Sequence, residues 1–213
     1  MSAVERGRPF LPFVAGEAAR IECCALAAKR CLGVPPAAAL EPFAAAAAVG
    51  ITVHGDAFFA RFGPAERRQV LELGGSHWSA GTILADDKAT IILNPTHDPV
   101  RQKVTLAEEL AHIVIGHPPS RIDACTGFRT YDHDLESEAY GVGGAMVMPY
   151  GQLFPLVRGG AAVAEIAKRF SVSIPFTNYR INRAGLRRLH QGAGRLSTTR
   201  QPRPPSQSDT ATP

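Results

Sequence analysis

One segment constrains the fold more than any other: "DPVRQKVTLAEELAHIVIGHPP", residues 98–119. Asp98 can accept hydrogen bonds from the free amide groups of a first helical turn, and Pro99 suits the first helical position. Gly116 and the two prolines that soon follow it are typical of a helix end. The segment therefore predicts one helix over residues 99–115.

The predicted helix has two unlike faces, because residues three and four apart lie side by side. An apolar stripe is predicted to face the core. It consists of Leu106, Leu110, Ile113 and Val114. The other face carries two carboxylates and an imidazole, from Glu108, Glu109 and His112. A solvated helix face is the ordinary explanation. A ligating cluster is the alternative, since only Glu108, in place of a first histidine, separates the segment from the metalloprotease signature H-E-x-x-H.

A second acidic cluster supports the ligating alternative. Glu136 and Glu138 follow His112 by 24 and 26 residues, on the next predicted helix, "LESEAYGVGGAMVM", for which Asp134 is a candidate cap. In zinc peptidases with two ligands on one helix, a third ligand often comes from a second helix. The ion acidifies a water molecule, and the glutamate after the first ligand accepts the proton. Either glutamate could complete such a set.

The order and spacing of these motifs resemble the ImmA/IrrE-type metallopeptidases. Members of that family carry "TLAHELGH" and "LLGH", followed by "E-x-E-A-N" and "LLMP". The corresponding segments here are "RQKVTLAEELAHIVIGH" and "ESEAYGVGGAMVMP". The strand-like "ATIILNP" and the later "AEIAKRFSVSIPFTNYRINRAGL" also resemble family segments. The resemblance spans roughly residues 17–190.

The resemblance implies roles for individual residues. His112 matches the second metal-binding histidine, and Glu109 matches the general base that acts in catalysis. Glu136 matches the acidic third ligand, with Glu138 as the other choice. Glu108 stands where the family has its first histidine ligand. The implied metal site is therefore Glu108, His112 and Glu136.

Glu108 changes the charge at the implied site. Two carboxylates and one neutral imidazole cancel the charge of a divalent ion, whereas two histidines and one glutamate do not. Cancelled charge predicts a weaker Lewis acid. Zn²⁺ is the ion that the family implies, and the added carboxylate makes Mn²⁺ or Mg²⁺ an alternative. A third possibility is no metal, with His112 paired to the surrounding carboxylates. Tyr140 is a second departure, since the family has Asn or Asp in that supporting position.

The expected fold is α+β: a small zincin-like core in which a short, mostly antiparallel sheet packs on helices. "TILADDKATIILN" predicts a hairpin that turns at Asp86 and Asp87, and "ITVH" predicts a further strand. Four regions are predicted along the chain. They are a flexible leader at 1–16, the ImmA/IrrE-like metallopeptidase domain at 17–160, a helix-turn-helix-like extension packed on the core at 161–190, and a disordered tail at 191–213.

Basic residues concentrate in the predicted extension. Residues 161–190 hold six Lys or Arg and one acidic residue, whereas residues 1–160 hold 14 and 17. The six cations are Lys168, Arg169, Arg180, Arg183, Arg187 and Arg188. They could contact DNA phosphates from a recognition helix that begins near Ser173. A solvated basic face is the simpler explanation.

These features predict a regulatory metallo-endopeptidase that cleaves or binds a protein partner of the repressor type. A non-catalytic relative that binds a protein or DNA is the alternative. The sequence has no apolar run long enough for a membrane span and no convincing signal segment, so we expect a cytoplasmic protein without a membrane partner. Other candidate ligands are expected to be free thiols, or turn and loop histidines. They are Cys23, Cys24, Cys31, Cys125, His77, His117 and His133.

Overall fold

The computed structural model describes residues 15–73, 78–86, 88–118 and 132–198. Its helices are α1 (Gly16–Cys31), α2 (Pro42–Ala48), α3 (Asp56–Phe59), α4 (Pro64–Arg68), α5 (Pro99–Ile115), α6 (His133–Val147), α7 (Tyr150–Arg158), α8 (Val163–Phe170), α9 (Ile174–Arg183) and α10 (Arg187–Thr198). Its strands are β1 (Thr52–His54), β2 (Ala80–Ala85) and β3 (Lys88–Leu93), and a π-helical turn at Gln69–Leu73 follows α4. Several predictions fall outside the described residues: the leader to residue 14, His77, Asp87, Cys125 and the tail beyond 198. Within the described ranges, no helix is long and apolar enough to cross a membrane.

The α+β class is confirmed, and the sheet is mixed, with strand order β1-β3-β2. β2 and β3 form the predicted antiparallel hairpin, from the pair Ala85 and Lys88 at the turn to the pair Ala80 and Leu93. β1 lies on the other side of β3 and runs parallel to it. A parallel pair needs a long connection, which here contains α3, α4 and β2. The predicted antiparallel character therefore holds for the hairpin and not for β1.

Helix α5 has the predicted bounds, and its caps explain them. The side chain of Asp98 accepts a hydrogen bond of 2.8 Å from the backbone amide of Val100. Gly116 ends the helix with a φ of 81°, a left-handed conformation that glycine adopts without steric cost. Leu106 and Leu110 are fully buried in the core. The apolar face of α5 thus anchors the helix and leaves the acidic face at the surface of the core.

Helix α6 begins at His133, two residues earlier than the sequence indicated. Its cap is Asp132, whose carboxylate accepts hydrogen bonds from the amides of Asp134 and Leu135 at 3.0 and 3.2 Å. The prediction of Asp134 as the cap is therefore wrong. Asp132 already satisfies the free amides, and Asp134 lies in the first turn.

Gly143 brings α6 into contact with the backbone of α5. A Cβ atom at this position would lie 2.8 Å from the carbonyl oxygen of Ala107 and 2.9 Å from the amide nitrogen of Glu108. Such distances are too short for any side chain, so only glycine permits this separation of the two helices. Because the contact falls at Glu108, it also sets how far that residue lies from α6.

A buried ion pair joins α9 to α1. The guanidinium of Arg180 is fully buried, and its Nη2 lies 2.5 Å from Glu22 Oε1. Its Nε donates a hydrogen bond of 3.1 Å to the carbonyl of Met148, just beyond α6. Burial raises the pKa of Glu22, and the charge of Arg180 opposes that rise. Arg180 therefore joins α9 to α1 and to the residue that follows α6.

The C-terminal helices share the core of the rest of the protein. The buried cluster that contains Leu106 and Leu110 also contains Ile166, Phe170 and Phe176, from α8 and α9. Helix α9 begins near Ser173, as predicted, and Ser173 caps it by accepting a hydrogen bond of 3.2 Å from the amide of Phe176. Helix α10 continues past residue 190, where the predicted extension ends, to Thr198.

The substitution Gly143→Ala tests the contact between α5 and α6. We expect it to lower the free energy of unfolding by about 1–3 kcal/mol, because the new methyl group must push the two backbones apart. Gly151→Ala is the matched control: it lies in α7 with nothing within 4 Å of its added Cβ. There we expect no loss, and a gain of up to about 1 kcal/mol. Urea denaturation measures both, and equal effects would contradict the close-packing explanation.

Two glutamates of α1 test the role of the buried ion pair. Glu22→Ala leaves the buried Arg180 without its counter-charge, and we expect a loss of about 3–5 kcal/mol in the free energy of unfolding. Glu17 pairs with Arg183 at 2.8 Å, but its side chain is 60% exposed. Glu17→Ala should therefore change stability little. Similar losses in the two variants would show that burial does not decide the strength of these pairs.

Candidate metal centre

Three potential ligands converge between α5 and α6: Glu108, His112 and Glu136. One ligand atom of each residue lies within 4.8 Å of the other two. His112 Nε2 is 3.6 Å from Glu136 Oε2, and the two side chains are 18% and 17% exposed. The helical spacing of four residues brings Glu108 and His112 to the same face of α5, as predicted.

The donor set of this group suits a divalent cation. Two carboxylates and an imidazole are ligands that Zn²⁺ and Mn²⁺ both accept. Bonds of about 2.0–2.2 Å in a tetrahedral arrangement place ligand atoms roughly 3.3–3.6 Å apart. The separation of 3.6 Å between His112 and Glu136 meets that requirement. A cation would also offset the repulsion between the two carboxylates.

Glu109 lies beside this group but is oriented by the sheet. Its Oε2 accepts a hydrogen bond of 2.5 Å from Thr82 Oγ1 on β2. Thr82 was not among the predicted site residues, because no motif marks it and it lies 27 positions from Glu109. In the structure Ala80 and Thr82 are less exposed than their neighbours, but the sequence AGTILA has no apolar–polar alternation that would have indicated this. The hairpin thus fixes the carboxylate predicted to act as a base.

Glu138, the other candidate for the third ligand, is engaged elsewhere. It forms an ion pair with Arg20 of α1, and its Oε2 lies 3.4 Å from His117 Nε2. The hydrogen bond from Arg20 lowers the pKa of Glu138. Of the two glutamates, Glu136 is the one that lies with Glu108 and His112.

His117 contacts a member of the group. Its backbone amide caps α5 by donating to the carbonyl of His112 at 3.0 Å, which agrees with the predicted turn role. Its ring also lies against His112, with the two Nδ1 atoms 3.0 Å apart. This second contact was not predicted, since it depends on the left-handed turn at Gly116. His133, by contrast, is 84% exposed.

A family model for the IrrE N-terminal-like domain of the M78 peptidases matches residues 71–182. The match covers more than half of the 213 residues. The chain belongs to this family. The resemblance drawn from the motifs is thereby confirmed, and no curated protein matches the chain. In this IrrE N-terminal-like domain, Glu108, Glu109, His112 and Glu136 all lie inside the matched span.

The IrrE N-terminal-like domain also has a cavity of about 450 Å³ that reaches Glu108. Its lining includes Arg101, Val104, Thr105, Tyr140 and Phe176. Burial, with a smaller contribution from Glu108, raises the pKa of Tyr140 to about 12. The phenol at the position where the family has Asn or Asp is therefore a neutral hydrogen-bond donor on the cavity wall.

The six cations predicted as DNA contacts do not share one environment. Arg180 is buried against Glu22, and Arg183 pairs with Glu17 at 2.8 Å. The remaining four are exposed; they are Lys168, Arg169, Arg187 and Arg188. Internal ion pairs thus engage both arginines of α9, the helix predicted to lie against DNA.

Thr82→Val tests the link between the hairpin and Glu109. It preserves the shape of the side chain and removes the hydroxyl, so the partly buried carboxylate loses a donor. We expect the free energy of unfolding to fall by about 1–3 kcal/mol. Thr82→Ser keeps the hydroxyl and should lose less. If urea denaturation ranks the two variants in the opposite order, the hydrogen bond does not stabilise the fold.

Proposed function

We propose that the protein is a metal-dependent endopeptidase that acts on a regulatory protein of the repressor type. Glu108, His112 and Glu136 hold the metal ion, and Glu109 is the general base. The proposal rests on one observation: the side chains of Glu108, His112 and Glu136 converge, and Glu109 lies next to Glu108 on α5. Membership of a peptidase family supports it.

Different residues have different roles in the proposed hydrolysis. The bound ion would supply Lewis-acid chemistry, polarising the substrate carbonyl and acidifying the attacking water. Glu109 accepts the proton of that water and delivers it to the nitrogen of the departing amine. Thr82 holds the Glu109 carboxylate in place by its hydrogen bond. The cavity beside Glu108, lined by Val104 and Phe176, accepts a side chain of the substrate.

Glu108 determines which ion the site favours. Its carboxylate makes the three-residue set neutral with a divalent ion bound, which weakens the Lewis acid relative to a set with two histidines. Oxygen ligands are also harder than imidazole, so Mn²⁺ competes better against Zn²⁺. We therefore expect slow hydrolysis with Zn²⁺.

A non-catalytic protein that binds a partner through the same cavity is the second candidate. The same neutral charge favours it, since a weak Lewis acid gives little catalysis. Binding of DNA would depend on the four exposed cations of α8 and α10, and a DNA affinity that does not fall with salt would contradict it.

Metal analysis of the purified protein and peptide hydrolysis with Glu109→Gln separate the two candidates. For the endopeptidase, we expect one equivalent of Zn²⁺ or Mn²⁺ after loading, in both the wild type and the variant. Hydrolysis of a fluorogenic peptide library should fall by about 10²–10⁴-fold in Glu109→Gln. Absence of stoichiometric metal, or hydrolysis equal in both proteins, would leave the non-catalytic candidate.

Glu108→His tests whether the rest of the site is intact. The substitution restores two imidazoles and one carboxylate, so we expect tighter binding of Zn²⁺ and faster hydrolysis. Glu66→His places a histidine on exposed α4, away from the site, and is the control. If Glu108→His binds Zn²⁺ no better than this control, then His112 and Glu136 do not form a zinc site together with position 108.

A further inference from the structure

A second imidazole supports the edge of His112 that faces away from Glu136. His112 Nδ1 lies 3.0 Å from His117 Nδ1, whereas His112 Nε2 lies 3.6 Å from Glu136. The two rings are nearly perpendicular, and the His117 side chain is only 5% exposed. On its far side, His117 Nε2 lies 3.4 Å from Glu138, which Arg20 holds in an ion pair. The four side chains form one chain of contacts.

The contacts fix where the hydrogen atoms lie. An ionised carboxylate only accepts hydrogen bonds, so the His117 nitrogen that faces Glu138 carries the hydrogen. That nitrogen is buried and has no hydrogen-bond partner among the described residues, so the Glu138 carboxylate at 3.4 Å is the group that compensates it. A neutral imidazole has one N–H, so His117 Nδ1 accepts. His112 Nδ1 must then donate. Its Nε2 lies 3.6 Å from Glu136, beyond hydrogen-bond distance, and presents a lone pair.

We propose that His117 is a positioning residue that, with Glu138, holds His112 in the tautomer whose Nε2 lone pair faces Glu108 and Glu136. The role in metal binding rests on the proposed function, whereas the tautomer does not. Ligating histidines need such a partner, because the hydrogen bond at one nitrogen orients the ring and fixes the other nitrogen as a ligand.

The helix-capping role of His117 can be separated from this one. The cap uses the backbone amide of His117, which donates to His112 O at 3.0 Å, so it survives any side-chain substitution other than proline. Gly116, with a φ of 81°, turns the chain so that the ring folds back over His112. Only the ring makes the contact that sets the tautomer.

Three variants test the proposal by the affinity for Zn²⁺, measured by competition with a chromophoric chelator. His117→Asn keeps a polar atom near the position of Nδ1, and its affinity should stay within a few-fold of the wild type. His117→Gln keeps one near Nε2 only, and His117→Ala keeps neither, so both should bind about 10–100-fold more weakly. The thermal unfolding of the three metal-free proteins should be similar. Equal affinities in all of them would overturn the proposal while the metal site stands.

NMR of the metal-free protein gives a readout that needs no ion. Long-range ¹⁵N–¹H correlations at about pH 8 show which nitrogen of a neutral imidazole carries the hydrogen. We expect His112 to carry it on Nδ1 in the wild type and in His117→Asn, and to lose that preference in His117→Ala. A hydrogen on Nε2 of His112 in the wild type, or on both nitrogens, would overturn the proposal. If the wild type binds no Zn²⁺, the proposed function fails and the NMR result alone decides the role of His117.

Discussion

The close contact between α5 and α6 at Gly143 is the constraint on which the candidate site depends. The two backbones meet at Ala107 and Glu108, with no room for a side chain at residue 143. Glu108 and His112 come from one of these helices, and Glu136 from the other. A separation larger by even one methyl group would move the carboxylate of Glu136 away from His112 Nε2. Helix packing, rather than any loop, therefore sets the geometry of the three ligating groups.

Much of the site could be predicted because it depends on local rules. The bounds of α5 follow from Asp98, Pro99 and Gly116, and the spacing of Glu108 and His112 follows from the pitch of a helix. These interactions join residues that are near one another in the sequence.

The rest depended on long-range contacts that the sequence does not show. Glu136 and Glu138 are two residues apart and so point in very different directions, but the sequence does not tell which one faces α5. The packing of Gly143 against Ala107 decides that rotation. Thr82 lies beside Glu109 only because the hairpin folds onto α5. Each of these contacts requires the tertiary structure, which periodicity alone does not provide.

The prediction of DNA contacts assumed that all six basic residues of the C-terminal extension are exposed to solvent. That assumption fails for Arg180, which is buried and forms an ion pair with Glu22 between α9 and α1. A buried pair of this kind seldom adds much net stability over apolar residues, but neither member can be removed alone without a large loss.

Helix α1 lies outside the segment that defines the family, which begins at residue 71. Even so, it provides the counter-charge for Arg180 and the cation that holds Glu138. The segment that the family model matches and the set of residues that stabilise the fold therefore have different boundaries. A protein shortened to residues 71–182 would keep every ligating residue and lose two of the partners that hold the scaffold in shape. The unit that contains these buried and ion-paired partners is therefore larger than the segment by which the family is recognised.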